Sequence, residues 1–297
     1  MAWLAPVCRR PQAFLTKRKF MRIALCNEVI AALPFERQCV FAAQLGYDGL
    51  EIAPMTLSDQ PHRIPTARRA ELRRAAHDAG IAITGLHYLL RAPEGMSITS
   101  ADDVVRTRTV EVMRRLCDLA VDLEASILVH GSPAQRQIAE GDEADGRKRG
   151  ADCFAMIAAT AEKAGVTYCI EPLSPDQTVF VNTVADAARI VEVIGSPAVK
   201  TMIDCSSAGR GGETEPIPDL LQKWLPTGLI AHIHLNDPNR KGPGEGALQF
   251  APILAALRDG GYGGMAAVEP FVYEPDGPTC AARAIGYVRG LMEAQVA

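Results

Sequence analysis

Four short apolar runs in the C-terminal half each carry a metal-binding side chain near their end. They are VTYCIEP (166–172) with Glu171, VKTMIDC (199–205) with Asp204, LIAHIHLND (229–237) with His234, and MAAVEP (265–270) with Glu269. The gaps between those four residues are 33, 30 and 35 positions, the length of one strand, one helix and two loops. A parallel strand needs a crossover of that kind to return to the same edge of a sheet. Four equivalent strand ends at one recurring period place two Glu, one Asp and one His on a single rim. In a closed barrel of parallel strands that C-terminal rim is where active sites are built.

Outward from these runs, the same alternation reaches back to Met21. RIALCNE, GLEIAP, IAITGLH and SILVHGS read as four earlier strands. Helical patterns stand between them: PFERQCVFAAQLG, with Pro34 at its start and Gly46 as its stop, TARRAELRRAAHDAG, which opens on Thr66, and DDVVRTRTVEVMRRLCDLAVDL. Thr99 or Ser100 is the expected cap of that last, longest helix, with Asp102 and Asp103 favourably placed at its positive end. The polar stretch from Pro133 to Gly150 reads as a long rim loop before the helix RGADCFAMIAATAEKAG. Continuous Val, Ile and Ala runs are what strands buried on both faces require. Eight strand and helix pairs with no linker give an α/β fold, a single (β/α)8 TIM barrel over residues 21–297. Residues 1–20 carry five basic side chains and no acidic one, and read as a basic extension, a targeting leader or a disordered tail.

The formal net charge is −4 and the Lys and Arg are scattered, so no basic face exists to attract nucleic acid. No apolar run reaches the roughly 18 residues of a membrane span. The eight cysteines form no CxxC pair, and several lie inside apolar patterns where a free Cys acts as a small hydrophobe. A reducing, cytoplasmic setting is the expectation.

Glu171, Asp204 or Glu269 alone has an ordinary reading as a capping or loop-bridging carboxylate, and His234 alone as a hydrogen-bonded core histidine. Four together at corresponding strand ends point to a divalent metal. Three carboxylates and one imidazole are a hard set that suits Mn²⁺ first, with Mg²⁺, Co²⁺ and Zn²⁺ as alternatives. A metal that polarises a carbonyl makes the adjacent C–H acidic, and flanking carboxylates can then serve as general base and general acid.

EPLSPDQTVFVNT (171–183), MIDCSSA (202–208), HIHLNDPNRKGPGEG (232–246) and VEPF (268–271) resemble the xylose isomerase-like sugar isomerase/epimerase barrels, close to the ketose 3-epimerases. The resemblance spans Met21 to the C-terminus. It implies one Mn²⁺ or similar ion on Glu171, Asp204, His234 and Glu269, with Glu171 and Glu269 also acting as a two-base pair. It implies epimerisation of a keto-sugar by proton abstraction beside a metal-bound carbonyl, through an enediolate. It makes Arg240 a substrate contact, and carries over assembly as a homodimer or homotetramer. Two positions depart from the epimerase pattern: Gln177 stands where a Glu contacts substrate, and Ser207 where a His does. Both are kept as substrate-contact candidates, but the identity of the sugar does not carry over.

His87 and His130 end strands three and four. Each alone is an ordinary loop anchor, and the functional expectation is contact with substrate hydroxyls. The related endonuclease IV-like barrels use His at these strands for a second metal sharing the Glu of strand five, a lesser alternative here. Glu51 and Glu28, at the ends of strands two and one, are further candidates to face the sugar. Phe271 and Trp224 are candidates for an apolar wall, and GPGEG (242–246) reads as a rim loop rather than a phosphate-binding loop. The rival functions are a lyase or dehydratase acting on a keto-sugar, keto-inositol or 3-keto-glycoside from the same site, an abasic-site endonuclease, and a silent sugar-binding subunit.

Overall fold

In a computed structural model that describes residues 21–295, the apolar runs form eight parallel strands. These are β1 (Arg22–Cys26), β2 (Gly49–Ile52), β3 (Ala82–Leu86), β4 (Ile127–His130), β5 (Thr167–Ile170), β6 (Val199–Asp204), β7 (Ile230–Leu235) and β8 (Met265–Val268). Each pairs with the next, and β8 closes on β1 through Ile23 opposite Ala266 and Leu25 opposite Val268. The (β/α)8 barrel expected from the sequence is therefore the observed fold. The basic extension of residues 1–20 lies outside the described residues.

The longer helices alternate with the strands: α1 (Phe35–Leu45), α2 (Thr66–Ala79), α3 (Asp103–Asp122), α4 (Glu143–Ala164), α5 (Val184–Ile194), α6 (Ile217–Trp224), α7 (Phe250–Asp259) and α8 (Gly277–Ala294). No helix among the described residues is long and apolar enough to cross a membrane. Gly46, Gly80, Gly165 and Gly195 end four of the helices in the left-handed conformation that costs glycine least.

Strand pleating sorts the side chains. Successive residues point to opposite faces, so those at i and i+2 share one. Ile23, Leu25, Leu128, Tyr168, Ile203, Ile233 and Val268 pack outward in the large core between barrel and helices. Ala24, Cys26 and Ala267 form one small cluster inside the barrel, and Val129, Cys169 and Met202 another. The inward parity of Cys169, Met202 and Ala267 carries on, two residues later, to Glu171, Asp204 and Glu269. His234 shares the inward face of β7 with His232.

Two expectations about α3 and α4 need correcting. The cap of α3 is Asp102, whose carboxylate accepts from Val104 N at 2.8 Å, and not Thr99 or Ser100. Thr99 is instead turned to Gln137 O, and Ser100 O is taken by Arg106. Helix α4 begins at Glu143, inside the stretch expected to be loop. Its glycines look like breakers but are packing sites. A Cβ at Gly146 would lie 2.6 Å from the Ile138 side chain, and one at Gly150 2.3 Å from Phe180. That close approach offsets the roughly 1 kcal/mol that each glycine costs a helix.

Candidate active site

The loop after β5 is tied down by its own side chains. Asn182 Nδ2 donates to Leu173 O and Thr178 O, each at 2.8 Å. Thr183 and Asp186 then cap α5 reciprocally, each accepting from the other's backbone N–H at 3.0 Å. Such a capping box satisfies two orphan donors of the helix and fixes where the loop ends. Glu171 at the loop's start is thereby held over the barrel mouth.

There the structure brings together Glu171, Asp204, His234 and Glu269, all buried, with one ligand atom of each within 4.8 Å of all the others. His234 Nδ1 lies 2.8 Å from Glu269 Oε2, 3.8 Å from Asp204 Oδ2 and 3.9 Å from Glu171 Oε1. It makes no hydrogen bond of acceptable geometry, although it is buried. The other ring nitrogen, Nε2, is hydrogen-bonded to Glu51 Oε1 at 3.0 Å. Asp204 is fixed from both sides: Oδ1 accepts from Ser207 N at 2.6 Å and Oδ2 from Asn236 Nδ2 at 2.7 Å. Asn236 is held in turn, its Oδ1 accepting from Ser206 N at 2.7 Å.

Three buried carboxylates this close repel one another strongly. Burial, together with the charges of Glu269 and Asp204, pushes the Glu171 carboxyl up to about 8. Burial also raises Asp204, with Glu269 adding to it. Burial acts the same way on Glu269, but the imidazoles of His234 and His87 outweigh it and bring that carboxyl down to about 2. This donor set fits a divalent cation: a buried imidazole nitrogen without a well-formed hydrogen bond faces three carboxylates gathered within ligand distance of one another.

The remaining expected residues divide into two groups. Gln177, Ser207 and Arg240 line the pocket above the four, as does Phe271. The Arg240 guanidinium sits 5.6 Å over the Phe271 ring, on a backbone at φ 70°. Gln177 Oε1 accepts from Ser174 Oγ at 2.7 Å and from Ser207 Oγ at 3.3 Å, so the two departures from the epimerase pattern are turned toward each other. Trp224, the other wall candidate, packs on the outer core.

His87, His130 and Glu51 do not reach the pocket; each is fully buried. His87 is engaged at both nitrogens, by Glu269 Oε1 at 2.8 Å and by Glu28 Oε2 at 2.9 Å. His130 shares the parity of Leu128 and so faces the helices, with Nδ1 on the Tyr168 hydroxyl at 2.8 Å and its ring edge-on to Phe154. Glu51 points inward as its parity requires, but one layer below the rim, against β7. Among the described residues no ligand cluster joins Glu171 to His87 and His130.

Several residues at the site had no signal in the sequence. Gly131 lets the Glu171 carboxylate lie against its backbone, where a Cβ would fall 1.5 Å from Oε2. Arg210 lines the pocket from a π-helical turn (Ala208–Gly212) and pairs with Asp176. Asn236 could have been read from its position, two residues past His234 on the same strand face.

A model of the family described as xylose isomerase-like TIM barrel matches residues 39–291. The D-psicose 3-epimerase of Enterocloster bolteae is 30% identical over 234 residues, 77% of this chain and 74% of that protein. The D-psicose 3-epimerase of Agrobacterium fabrum is 28% identical over 233 residues, 77% of each chain. In structure, the barrel superposes on a D-psicose 3-epimerase crystallised in the presence of D-fructose with a TM-score of 0.78 at 23% identity, covering 92% of this chain and 99% of that one.

Proposed function

The chain belongs to the xylose isomerase-like TIM barrel family, and from that premise we propose that it is a divalent-cation-dependent epimerase or isomerase of a keto-sugar or sugar derivative. The observation that carries this reading is the pairing of Glu171 and Glu269. They are two buried carboxylates, at the ends of β5 and β8, that share one ligand cluster and line one pocket. Two carboxylates that reach one substrate carbon can serve as its base and its acid. The names of the relatives, ketose 3-epimerases, support the same reaction class.

In this reading Glu171, Asp204, His234 and Glu269 hold the cation, Mn²⁺ by preference for a hard oxygen-rich set, with Mg²⁺, Co²⁺ or Zn²⁺ as substitutes. When bound, it supplies the positive charge that offsets the negative charge developing on the substrate's oxygens as the proton leaves. One of Glu171 and Glu269 takes the proton from the hydroxyl-bearing carbon beside the ketone, and the other, entering the step protonated, returns its proton to the opposite face; in the reverse direction the roles exchange. The bond from His87 Nδ1 fixes Glu269 Oε1 so that this oxygen keeps its aim. Arg240, stacked on Phe271, offers fixed donors to sugar hydroxyls at the pocket mouth. The mutual contact of Gln177 and Ser207 leaves a different hydroxyl-reading surface from that of a Glu and His pair. We therefore assign the class of reaction and not one sugar.

A panel of ketoses and 3-keto-glycosides incubated with the Mn²⁺-loaded protein tests the reading. Product of unchanged mass with one inverted carbon supports it. Loss of water or of an aglycone makes the protein a lyase using the same first step. Activity undiminished by exhaustive chelation sinks the cation dependence.

A further inference from the structure

Glu51 is a fully buried carboxylate in a barrel interior that holds, besides His232 and His234, small or apolar side chains such as Ala24, Val129, Cys169 and Met202. Burying a carboxylate costs several kcal/mol unless it is well paired, and an apolar side chain of similar volume would serve the barrel's packing as well or better. The chain nonetheless aims this group with care. The β2–β3 pairing shifts register between Leu50 and Glu51, the kind of irregularity that re-aims a side chain beside a functional site.

The two carboxylate oxygens reach across the barrel to the two inward histidines of β7. Oε1 is hydrogen-bonded to His234 Nε2 at 3.0 Å, and Oε2 lies 2.7 Å from His232 Nε2. The two imidazoles stand edge to face, 5.0 Å apart, with the carboxylate hydrogen-bonded to His234 and in close contact with His232. A histidine has one proton to place when neutral, and the bond at one nitrogen decides which nitrogen keeps a lone pair. A proton on Nδ1 would be donated toward Glu269 Oε2, 2.8 Å away, and that nitrogen could not ligate.

We propose that Glu51 is the positioning residue of the cation site. Steadied by His232, it accepts the Nε2 proton of His234 and so turns the Nδ1 lone pair toward Glu171, Asp204 and Glu269. The inference rests on reading those residues as the cation ligands. It replaces substrate contact as the role of Glu51, and gives a use to the first histidine of the HIH run.

Mn²⁺ affinity, measured directly by electron paramagnetic resonance titration of the chelated protein, is the readout. Glu51→Leu should weaken binding about 10- to 100-fold, as loss of such a partner does, and Glu51→Gln should weaken it less. In a His234→Ala background Glu51→Leu should cost nothing more, because the effect runs through that ring. A folded Glu51→Leu protein that binds Mn²⁺ like the parent overturns the proposal, and so does a loss that adds in full to that of His234→Ala. Independently of any variant, ¹⁵N shifts of His234 in the Zn²⁺-loaded parent should show the proton on Nε2; a proton on Nδ1 overturns it equally. A parent that binds no Mn²⁺, or binds it undiminished after His234→Ala, instead refutes the cation site itself, and the role of Glu51 falls with it.

Discussion

Gly131→Ala is a one-carbon change whose consequence can be worked out from the packing of Glu171. The new Cβ would lie 1.5 Å from Oε2 and 2.7 Å from Cδ of that side chain. Real Cβ contacts essentially never fall below 3.0 Å, so Oε2 must retreat by at least about 1.5 Å, or the β4 loop must lift. Misplacing a reacting group by about 1 Å can cost about 100-fold, and here the displaced group is both base and ligand. We expect kcat/KM to fall at least 100-fold, about 2.7 kcal/mol of transition-state stabilisation. Mn²⁺ affinity should fall about 10- to 100-fold. Stability should hold, because Gly131 is not in a left-handed conformation and alanine is allowed there. Steady-state kinetics on any ketose that the parent turns over, Mn²⁺ titration and a thermal melt together make the assay. A folded Gly131→Ala protein with parental kinetics and affinity would refute the claim that Glu171 must sit against that backbone.

Two further outcomes follow from the same geometry. Burial and the neighbouring carboxylates raise Glu171 to about 8, so in the cation-free protein it carries a proton at neutral pH. Cation binding competes with that proton and with the one that the surrounding carboxylates hold on the His234 ring, so affinity should fall at least about tenfold per unit as pH falls below 8. Calorimetry in buffers of different ionisation heat should detect net proton release at pH 7, and a flat affinity profile from pH 6 to 8 would contradict the assignment. Arg240→Ala removes a charged donor from the pocket mouth but touches none of the four ligands. It should raise KM about 10- to 100-fold while leaving Mn²⁺ affinity unchanged, and an affinity loss would show that Arg240 supports the cation site instead.

The parts of this molecule that were legible in the sequence are those fixed by short-range geometry. A parallel crossover has a minimum length, so strand ends recurring every 30 to 35 residues announced the barrel and put Glu171, Asp204, His234 and Glu269 on one rim. What could not be read depended on pleat phase and depth. His130 looks like a rim residue, but the phase of β4 turns it toward Phe154, and a slip of one residue reverses every face. Glu51 has the right phase, yet it is fully buried against the histidines of β7 and does not line the pocket. Gly146 and Gly150 resemble helix breakers because the side chains that fill their missing Cβ positions, Ile138 and Phe180, come from elsewhere in the chain. Gly131 carries no local signal at all, since its purpose is a carboxylate forty positions away.

Turnover in D₂O tests most directly whether this pocket removes a proton beside a ketone. The Mn²⁺-loaded protein, given a ketose that it epimerises, should exchange the hydrogen on the hydroxyl-bearing carbon next to the carbonyl for deuterium, seen as loss of that proton resonance. Chelation or Glu269→Gln in a folded protein should abolish the exchange. Epimerisation with the original hydrogen fully retained, or exchange that proceeds unabated without Glu269 and without the cation, would contradict the mechanism.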